Sequence, residues 1–328
     1  MRGVEQQLLA QWRNRLIFGF ILALGVVVGL AFYGDLPRLI EAFRHWRWAY
    51  LPFVLICVLA NYAVRFLRWH YYLAVIGIEK VDWQDSLGIF LSGFALTMTP
   101  GKAGEVLKSF LLKQMRGTPV SYSASIVLVE RLTDVVGMVL IASIGLATYR
   151  FGSQVLGITL ALCVVFVLVV QQQALVRRLL EAGERVAKLG RLVGALRNLY
   201  DSTYLLLRLK PLAAGIAIAT VGWAGECVAF FLVLAGLGVA PTATLALQAA
   251  FIYALTTLVG AVSFLPGGLG ATEAGMAVLL PRMVHLGRDA SAAATMLVRF
   301  ATLWFAVALG FAALGIFQKR LALKRHER

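Results

Sequence analysis

The chain has 328 residues, of which 60% are hydrophobic and 14% charged, and its mean hydropathy is +0.82. A soluble globular protein is closer to half apolar and a quarter charged, so this composition excludes an ordinary soluble domain and predicts a protein that crosses a membrane several times. The formal net charge is +15. We interpret it as membrane-facing lysine and arginine, because no basic stretch has the pattern of a DNA- or RNA-binding module.

Six apolar runs are predicted to span the membrane as helices, because each can cross a hydrocarbon core of about 30 Å. The first follows Arg13 and Arg15 and is interpreted as a retained helix, since it is long for a signal peptide and has no A-x-A cleavage site. The runs are residues 16–33, 49–67, 122–149, 153–170, 211–238 and 290–317.

Two further apolar regions, residues 86–116 and 243–286, are each interrupted near the middle by Pro-Gly. The first contains TPGKAG (99–104) and the second LPGGLG (265–270). Pro-Gly ends helices, and each half is expected to be too short to cross easily, so each region is predicted to be a re-entrant helical hairpin. Broken backbone is tolerated at membrane depth only beside protein or a water-filled cavity. The predicted fold is therefore an all-α integral membrane protein.

Basic residues predict the orientation of these helices. Segment 171–210 carries eight lysines and arginines, and the C-terminal tail carries five. The protein is predicted to lie in the cytoplasmic (inner) membrane, and the positive-inside rule places both of its termini on the cytoplasmic side. Residues 34–48, which carry three arginines, would then lie outside, contrary to the rule. Segment 171–210 also has apolar residues at helical spacing. It is predicted to be an amphipathic cytoplasmic helix that lies either on the inner leaflet or against the protein.

The two hairpins match as parts of an internal repeat. PGKAG at 100–104 aligns with PGGLG at 266–270, an offset of 266 − 100 = 166. SASIVLVERLTD at 123–134 aligns with SAAATMLVRFAT at 291–302, an offset of 291 − 123 = 168. Nearly constant offsets across separate matches indicate a duplicated unit.

The predicted orientation makes the two copies of this unit run in opposite directions through the membrane. The chain is then one transmembrane domain, residues 1–328, with a first repeat at about 49–149 and an inverted second repeat at about 211–317. Inverted repeats with broken helices form a common transporter plan, which favours transport as the function.

Charged residues inside the predicted bilayer indicate a polar cavity. Arg131 and Arg299 each lie nine residues into their runs (131 − 122 and 299 − 290), and Glu226 has no basic neighbour in sequence. A charge at such depth costs about 2.5–3.5 kcal/mol, so these side chains are expected either to pair internally, as Arg131 with Asp134, or to contact a charged ligand. Acids and bases together suit a zwitterionic or phosphate-bearing headgroup. The charged candidates are Lys102, Glu105, Lys108, Glu130, Arg131, Asp134, Glu226, Glu273 and Arg299.

Two further features add to this candidate site. Backbone N–H groups after each Pro-Gly provide anion-binding capacity at the start of a half-helix, beside Lys102 in the first hairpin and Gly268 in the second. Arg65 and Arg68, close to Trp69, are interpreted either as snorkelling anchors at the inner interface or as contacts for a lipid phosphate.

Four stretches of the chain resemble the lysylphosphatidylglycerol synthase transmembrane-domain family, also called the flippase-like domain family: RFLRWHYYL, PGKAGEVLKSFLL, VLVERLTDVVGMVL and FLPGGLGATEAG. The resemblance implies movement of a lipid between leaflets, with an aminoacylated phospholipid or a polyprenyl-linked sugar as cargo. Members that transfer aminoacyl groups carry a large soluble catalytic domain as well, so we expect transport here rather than synthesis. The residues implicated by the resemblance are Pro100, Gly101, Gly104, Glu105, Glu130, Arg131, Asp134, Pro266, Gly267, Gly268, Gly270 and Glu273.

Three functions follow from these features. The first is a lipid flippase or lipid transporter; the second is a membrane-embedded enzyme that modifies a lipid headgroup, with Glu130 and Asp134 as an acid–base pair. The third is a non-transporting partner of a lipid- or glycan-synthesis enzyme. We expect the first, without catalytic residues or a cofactor, because no nucleophile–base arrangement or metal cluster supports an enzyme. The three cysteines and four histidines form no CxxC or HExxH pattern, so no metal site is expected, and no nucleic acid is expected as a partner.

Overall fold

A computed structural model describes residues 2–78, 81–99, 104–146, 153–184 and 190–326, and within these residues every regular element is a helix. The helices are α1 (Arg2–Tyr33), α2 (Leu36–His45), α3 (Leu51–Val75), α4 (Trp83–Ser92), α5 (Leu107–Arg116), α6 (Val120–Leu146), α7 (Ser153–Gln171), α8 (Gln173–Glu184), α9 (Gly190–Leu206), α10 (Leu209–Gly236), α11 (Ala243–Val262), α12 (Ala271–Met283), α13 (Arg288–Arg299) and α14 (Phe305–His326). Short 3₁₀ turns lie at Trp48–Tyr50, Gly93–Leu96 and Pro266–Gly268, and a π-helical turn at Phe300–Trp304 joins α13 to α14.

Four helical stretches of the described chain are long and apolar enough to cross a membrane, and two bent helix pairs raise this number to six if each pair is one span. α6 is also long, with 27 residues, although it carries three charged side chains. The prediction of an all-α, multi-pass membrane protein is confirmed. The four stretches are Trp48–Val75, Leu209–Gly236, Ala243–Val262 and Arg288–Arg320; the pairs are Ile17–Tyr33 with Leu36–His45, bent by 94°, and Leu156–Gln171 with Val176–Ala182, bent by 66°.

Both predicted hairpins are broken helices, but their arms differ in length. In the first, α4 and the following 3₁₀ turn cover 14 residues (83 to 96) and α5 covers 10, about 21 Å and 15 Å at the helical rise, too short to cross. In the second, α12 is also short, at 13 residues, whereas α11 has 20 residues and is long enough to cross by itself. The expectation that every arm is too short is therefore wrong for α11.

Glycine makes the break of the second hairpin possible. Gly267, Gly268 and Gly270 have φ angles of 59°, 69° and 86°, a region that residues with a Cβ rarely adopt. The chain can therefore turn sharply between α11 and α12. The backbone N–H of Gly270 donates to the Glu273 carboxylate at 2.7 Å, which satisfies an otherwise open N–H at the start of α12.

The helices of the two halves pack on each other reciprocally. α3 packs along α10, α4 packs on α14 of the other half, and α11 packs on α6. This exchange of contacts is what a two-fold relation between residues 49–149 and 211–317 would produce. The inverted repeat itself stays a prediction.

The basic segment 171–210 forms α8 and α9 around residues 185–189, which lie outside the described residues. α9 packs against α6. Ser202 Oγ donates to the carbonyl of Tyr122 at 2.9 Å, and the hydroxyl of Tyr200 donates to the carbonyl of Val170 at 3.0 Å. These contacts favour a helix packed on the protein over a helix lying on the leaflet. Residues 34–48, the arginine-rich region, mainly form α2, which bends away from α1.

Gly310 allows α14 to pack directly on the first hairpin, and we expect Gly310→Ala to lower the thermal unfolding temperature in detergent. A Cβ at this position would overlap the backbone of Phe94 and Ala95, which cannot move aside as a side-chain end could. Overpacking of this kind typically costs about 1–3 kcal/mol. Gly315→Ala, in the same helix, is the matched control because no atom lies within 4 Å of its Cβ position. Equal unfolding temperatures for the two variants would contradict this account.

Candidate functional site

A cavity of about 430 Å³ lies between the two hairpins and is bordered by α3, α6, α10, α11 and the π-helical turn. Ligand-binding cavities in proteins are commonly of this size. Charged, hydroxyl-bearing and aromatic side chains from both halves of the chain reach it. They are Tyr62, Arg65, Phe94, Thr97, Glu105, Arg131, Asp134, Trp223, Glu226, Tyr253, Thr257, Phe264, Thr272, Arg299 and Thr302.

Arg131 lies at the wall formed by the first half. Its Nη2 atom is 3.1 Å from Glu105 Oε2 and 3.0 Å from Asp134 Oδ2. Asp134 is one helical turn away on α6, so the predicted pairing of Arg131 with Asp134 is observed, whereas Glu105 reaches Arg131 from the break of the first hairpin. Both carboxylates are buried, and Arg131 keeps 23% of its side-chain surface exposed. The ion pairs therefore hold an arginine that still faces the cavity.

Arg299 lies at the wall formed by the second half, in an equivalent pair. Its Nε is 2.5 Å from Glu273 Oε1, and its Nη2 donates to the carbonyl of Gly267 at 2.7 Å. Glu105 and Glu273 are 168 residues apart (273 − 105), as are Arg131 and Arg299 (299 − 131). Each hairpin is therefore joined to the charged helix that follows it by one glutamate–arginine pair.

A second layer of ion pairs lies behind Arg131. Lys108 Nζ is 2.6 Å from Glu130 Oε2 and 4.5 Å from the ring centre of Trp69, and it is almost completely buried. Arg68 is fully buried, with Nη2 2.7 Å from Asp134 Oδ1 and Nη1 donating to Thr133 Oγ1 at 3.0 Å. Arg68 is thus no snorkelling anchor at the interface, and its contacts are with the protein.

Arg65, one turn before Arg68 on α3, has different surroundings. It lines the cavity, and its guanidinium carbon lies 5.6 Å from the ring centre of Phe94. Among the residues that the structure describes, none accepts a hydrogen bond from its Nε and none forms an ion pair with it. Arg65 is therefore a cavity-lining cation that is not held in an ion pair with a described residue.

Glu226 enters the cavity wall from α10, held by polar groups that sequence reasoning missed. Asn61 Nδ2 donates to one carboxylate oxygen, and the hydroxyl of Tyr253 donates to the other at 2.6 Å. Trp223, also in the wall, has a buried indole N–H with no hydrogen-bond partner in the described residues. The position of Asn61, a polar residue within an apolar run, is the sequence feature that could have indicated a polar partner for Glu226.

The structure brings most of the predicted site residues to this cavity or its supporting layer. Eight line it: Arg65, Glu105, Arg131, Asp134, Glu226, Gly267, Gly268 and Arg299. Arg68, Lys108, Glu130 and Glu273 support those residues, while Gly104, Pro266 and Gly270 shape the two breaks. Pro100, Gly101 and Lys102 lie outside the described residues.

The charges of this constellation balance. Among the residues that the structure describes, five cations and five carboxylates belong to it, and their formal charges sum to zero when all are ionised. In the described part of the chain, no group of three or more His, Cys, Asp or Glu could hold a metal ion. The cations are Arg65, Arg68, Lys108, Arg131 and Arg299, and the carboxylates are Glu105, Glu130, Asp134, Glu226 and Glu273.

The two glutamate–arginine pairs predict unequal effects of equivalent substitutions. We expect Glu273→Gln to lower the unfolding temperature in detergent more than Glu105→Gln. Removing one partner of a buried ion pair costs about 3–5 kcal/mol. Within the described chain, Arg299 would then keep the Gly267 carbonyl, which is uncharged, whereas Arg131 would keep the Asp134 carboxylate. A larger loss for Glu105→Gln would contradict this assignment.

The chain has relatives among known membrane proteins. The lysylphosphatidylglycerol synthase TM region family matches residues 17–310. Two UPF0104 membrane proteins of Methanothermobacter thermautotrophicus are similar along most of their length. One is 25% identical over 309 residues, covering 89% of this chain and 90% of the relative; the other is 25% identical over 287 residues, covering 79% and 82%. Since the family match includes both hairpins and the whole cavity, the chain belongs to the lysylphosphatidylglycerol synthase TM region family.

Proposed function

We propose that this protein moves a membrane lipid between the two leaflets, with the lipid headgroup passing through the polar cavity. The observation that carries the proposal is a cavity inside a membrane-spanning bundle that is lined by three arginines and three carboxylates. Each charge at bilayer depth costs about 2.5–3.5 kcal/mol to insert. Ion pairing offsets part of this cost, but a purely structural pair does not need to face a cavity.

The charge balance favours a zwitterionic or phosphate-bearing headgroup. Arg65 and the exposed part of Arg131 supply guanidinium groups, which bind phosphate through two parallel hydrogen bonds. Glu226 supplies a carboxylate suited to an amine. Aminoacylated phospholipids and polyprenyl-linked sugars both carry phosphate, and the first also carries an amine.

The alternative enzyme hypothesis is less well supported by the positions of Glu130 and Asp134. Glu130 is paired with Lys108 and lies outside the cavity lining, and Asp134 is paired with both Arg68 and Arg131. A general acid or base must reach the reacting group, which Glu130 does not. We therefore propose transport without catalysis, with a lipid- or glycan-synthesis enzyme as the partner that supplies the cargo.

We further propose that the protein lies in the inner membrane with both termini in the cytoplasm. The basic residues of segment 171–210 and of the C-terminal tail support this orientation. In this topology the two broken hairpins would approach the cavity from opposite sides, so rocking of one half against the other would expose it alternately.

Transport is tested with purified full-length protein in liposomes that contain a fluorescent lipid. A membrane-impermeant reductant bleaches the outer leaflet, and a translocator makes the inner-leaflet label accessible as well. We expect bleaching beyond the outer-leaflet fraction for phosphatidylethanolamine, aminoacylated phosphatidylglycerol or a polyprenyl-phosphate sugar. If all three labelled lipids move no faster than in protein-free liposomes, the proposal is wrong.

A further inference from the structure

A second cavity, of about 330 Å³, lies beside the polar one and is almost entirely apolar. Its walls come from six helices, α1, α2, α3, α10, α12 and α13, and from the π-helical turn, with Leu269 from the break of the second hairpin. Among the lining side chains that the structure describes, only Glu273 and Arg299 are charged. Three tryptophans also line the cavity, Trp46, Trp48 and Trp304, and the indole N–H of Trp46 donates to the carbonyl of Val233 at 3.1 Å. The walls therefore offer almost nothing to water or to a polar ligand.

The apolar cavity has a mouth that is itself apolar and exposed. Val27, Trp48 and Phe300 line the cavity and have 37%, 54% and 64% of their surface exposed. Deeper wall residues, Leu30 and Val54, are buried. In a membrane-spanning bundle, an exposed apolar rim faces hydrocarbon, so the mouth is a lateral opening toward the acyl chains of the bilayer.

Arg299 borders both cavities. Its partner Glu273 lines the apolar one. A molecule with a charged head and a hydrocarbon tail can therefore place its head beside Arg299 in the polar cavity and its tail along the apolar walls. A peptide or a soluble ligand could not use this cavity well, because its polar atoms would find no partners there.

We infer that the apolar cavity binds one hydrocarbon chain of the lipid whose headgroup occupies the polar cavity, and that the chain enters laterally between Val27, Trp48 and Phe300. This inference rests on the proposed function for the identity of the headgroup site. It assigns α1 and α2 a role in admitting the lipid tail, because these two helices form one side of the apolar cavity. It also explains why Arg299 should contact the lipid where head and tail meet.

The test uses full-length protein in liposomes of phosphatidylglycerol and phosphatidylethanolamine, with a trace of either lipid carrying a diazirine midway along one acyl chain. After illumination, mass spectrometry maps the labelled residues. We expect adducts on the buried wall residues Leu30 and Val54. Val27→Trp should reduce these adducts at least about tenfold, because a bulky side chain fills the opening. The matched control is Val28→Trp, the next residue on α1, which is similarly exposed but does not line the cavity.

Adducts confined to exposed positions of α1, such as Leu24, would overturn the inference whether or not the protein moves lipid. Equal loss of wall adducts in Val27→Trp and Val28→Trp would overturn the lateral entry. A third outcome is that the wall residues are labelled, that only Val27→Trp prevents this labelling, and that no lipid is translocated. The apolar cavity would then still be a binding site for a hydrocarbon chain, but the proposed transport function would be wrong. The labelling and transport results therefore separate the two proposals.

Discussion

Arg131→Ala is expected to reduce lipid translocation strongly. The substitution removes a cation that faces the cavity, and it deprives Glu105 and Asp134 of the guanidinium that they share. Loss of one partner from a charged contact of this kind costs about 2–5 kcal/mol, so the rate should fall by about thirtyfold or more. The measurement is bleaching of inner-leaflet fluorescent lipid in liposomes that contain equal amounts of folded protein.

Two controls separate loss of function from loss of structure. Arg131→Lys keeps the charge but not the planar pair of donors, so we expect it to retain part of the activity. Arg178→Ala removes an exposed arginine of α8 that does not line the cavity, and should leave the rate unchanged. If folded Arg131→Ala protein moves lipid at the wild-type rate, the polar cavity is not the headgroup path.

The second large effect distinguishes two arginines on one helix. Arg65→Gln is expected to reduce translocation at least about tenfold and to lower the unfolding temperature less than Arg68→Gln does, because Arg65 lines the cavity without an ion-pair partner in the described residues. Arg68→Gln is expected to lower the unfolding temperature strongly. It removes a fully buried partner of Asp134, at a cost of about 3–5 kcal/mol.

This comparison is made by measuring transport and thermal unfolding on the same preparations. Arg65→Lys should recover part of the transport, since a cation remains at the cavity. Were Arg65→Gln to lose as much stability as Arg68→Gln, Arg65 would be a structural arginine as well, and phosphate binding would have to be assigned to Arg131 and Arg299.

The sequence predicted the membrane class, the two broken helices and the charged residues that line the polar cavity. Those features depend on local properties: runs of apolar residues decide whether a helix can cross, and Pro-Gly ends a helix wherever it stands. Charges within apolar runs also signal a protected environment, because their insertion cost must be offset. This is why Glu105, Arg131, Glu226, Glu273 and Arg299 could be selected before any contact was known.

The tertiary structure decided which partner each of these charges has. Arg65 and Arg68 look alike in RFLRWHYYL, but helix rotation and the position of α6 place Arg68 against Asp134 and leave Arg65 at the cavity. Asn61 and Tyr253 meet Glu226 only because α3 and α11 both pack on α10. The apolar cavity has no sequence signal of its own, since its walls come from six helices whose apolar residues resemble those that face lipid. The composition of a segment can be taken from its own residues, whereas ion pairs and cavities depend on how the helices cross.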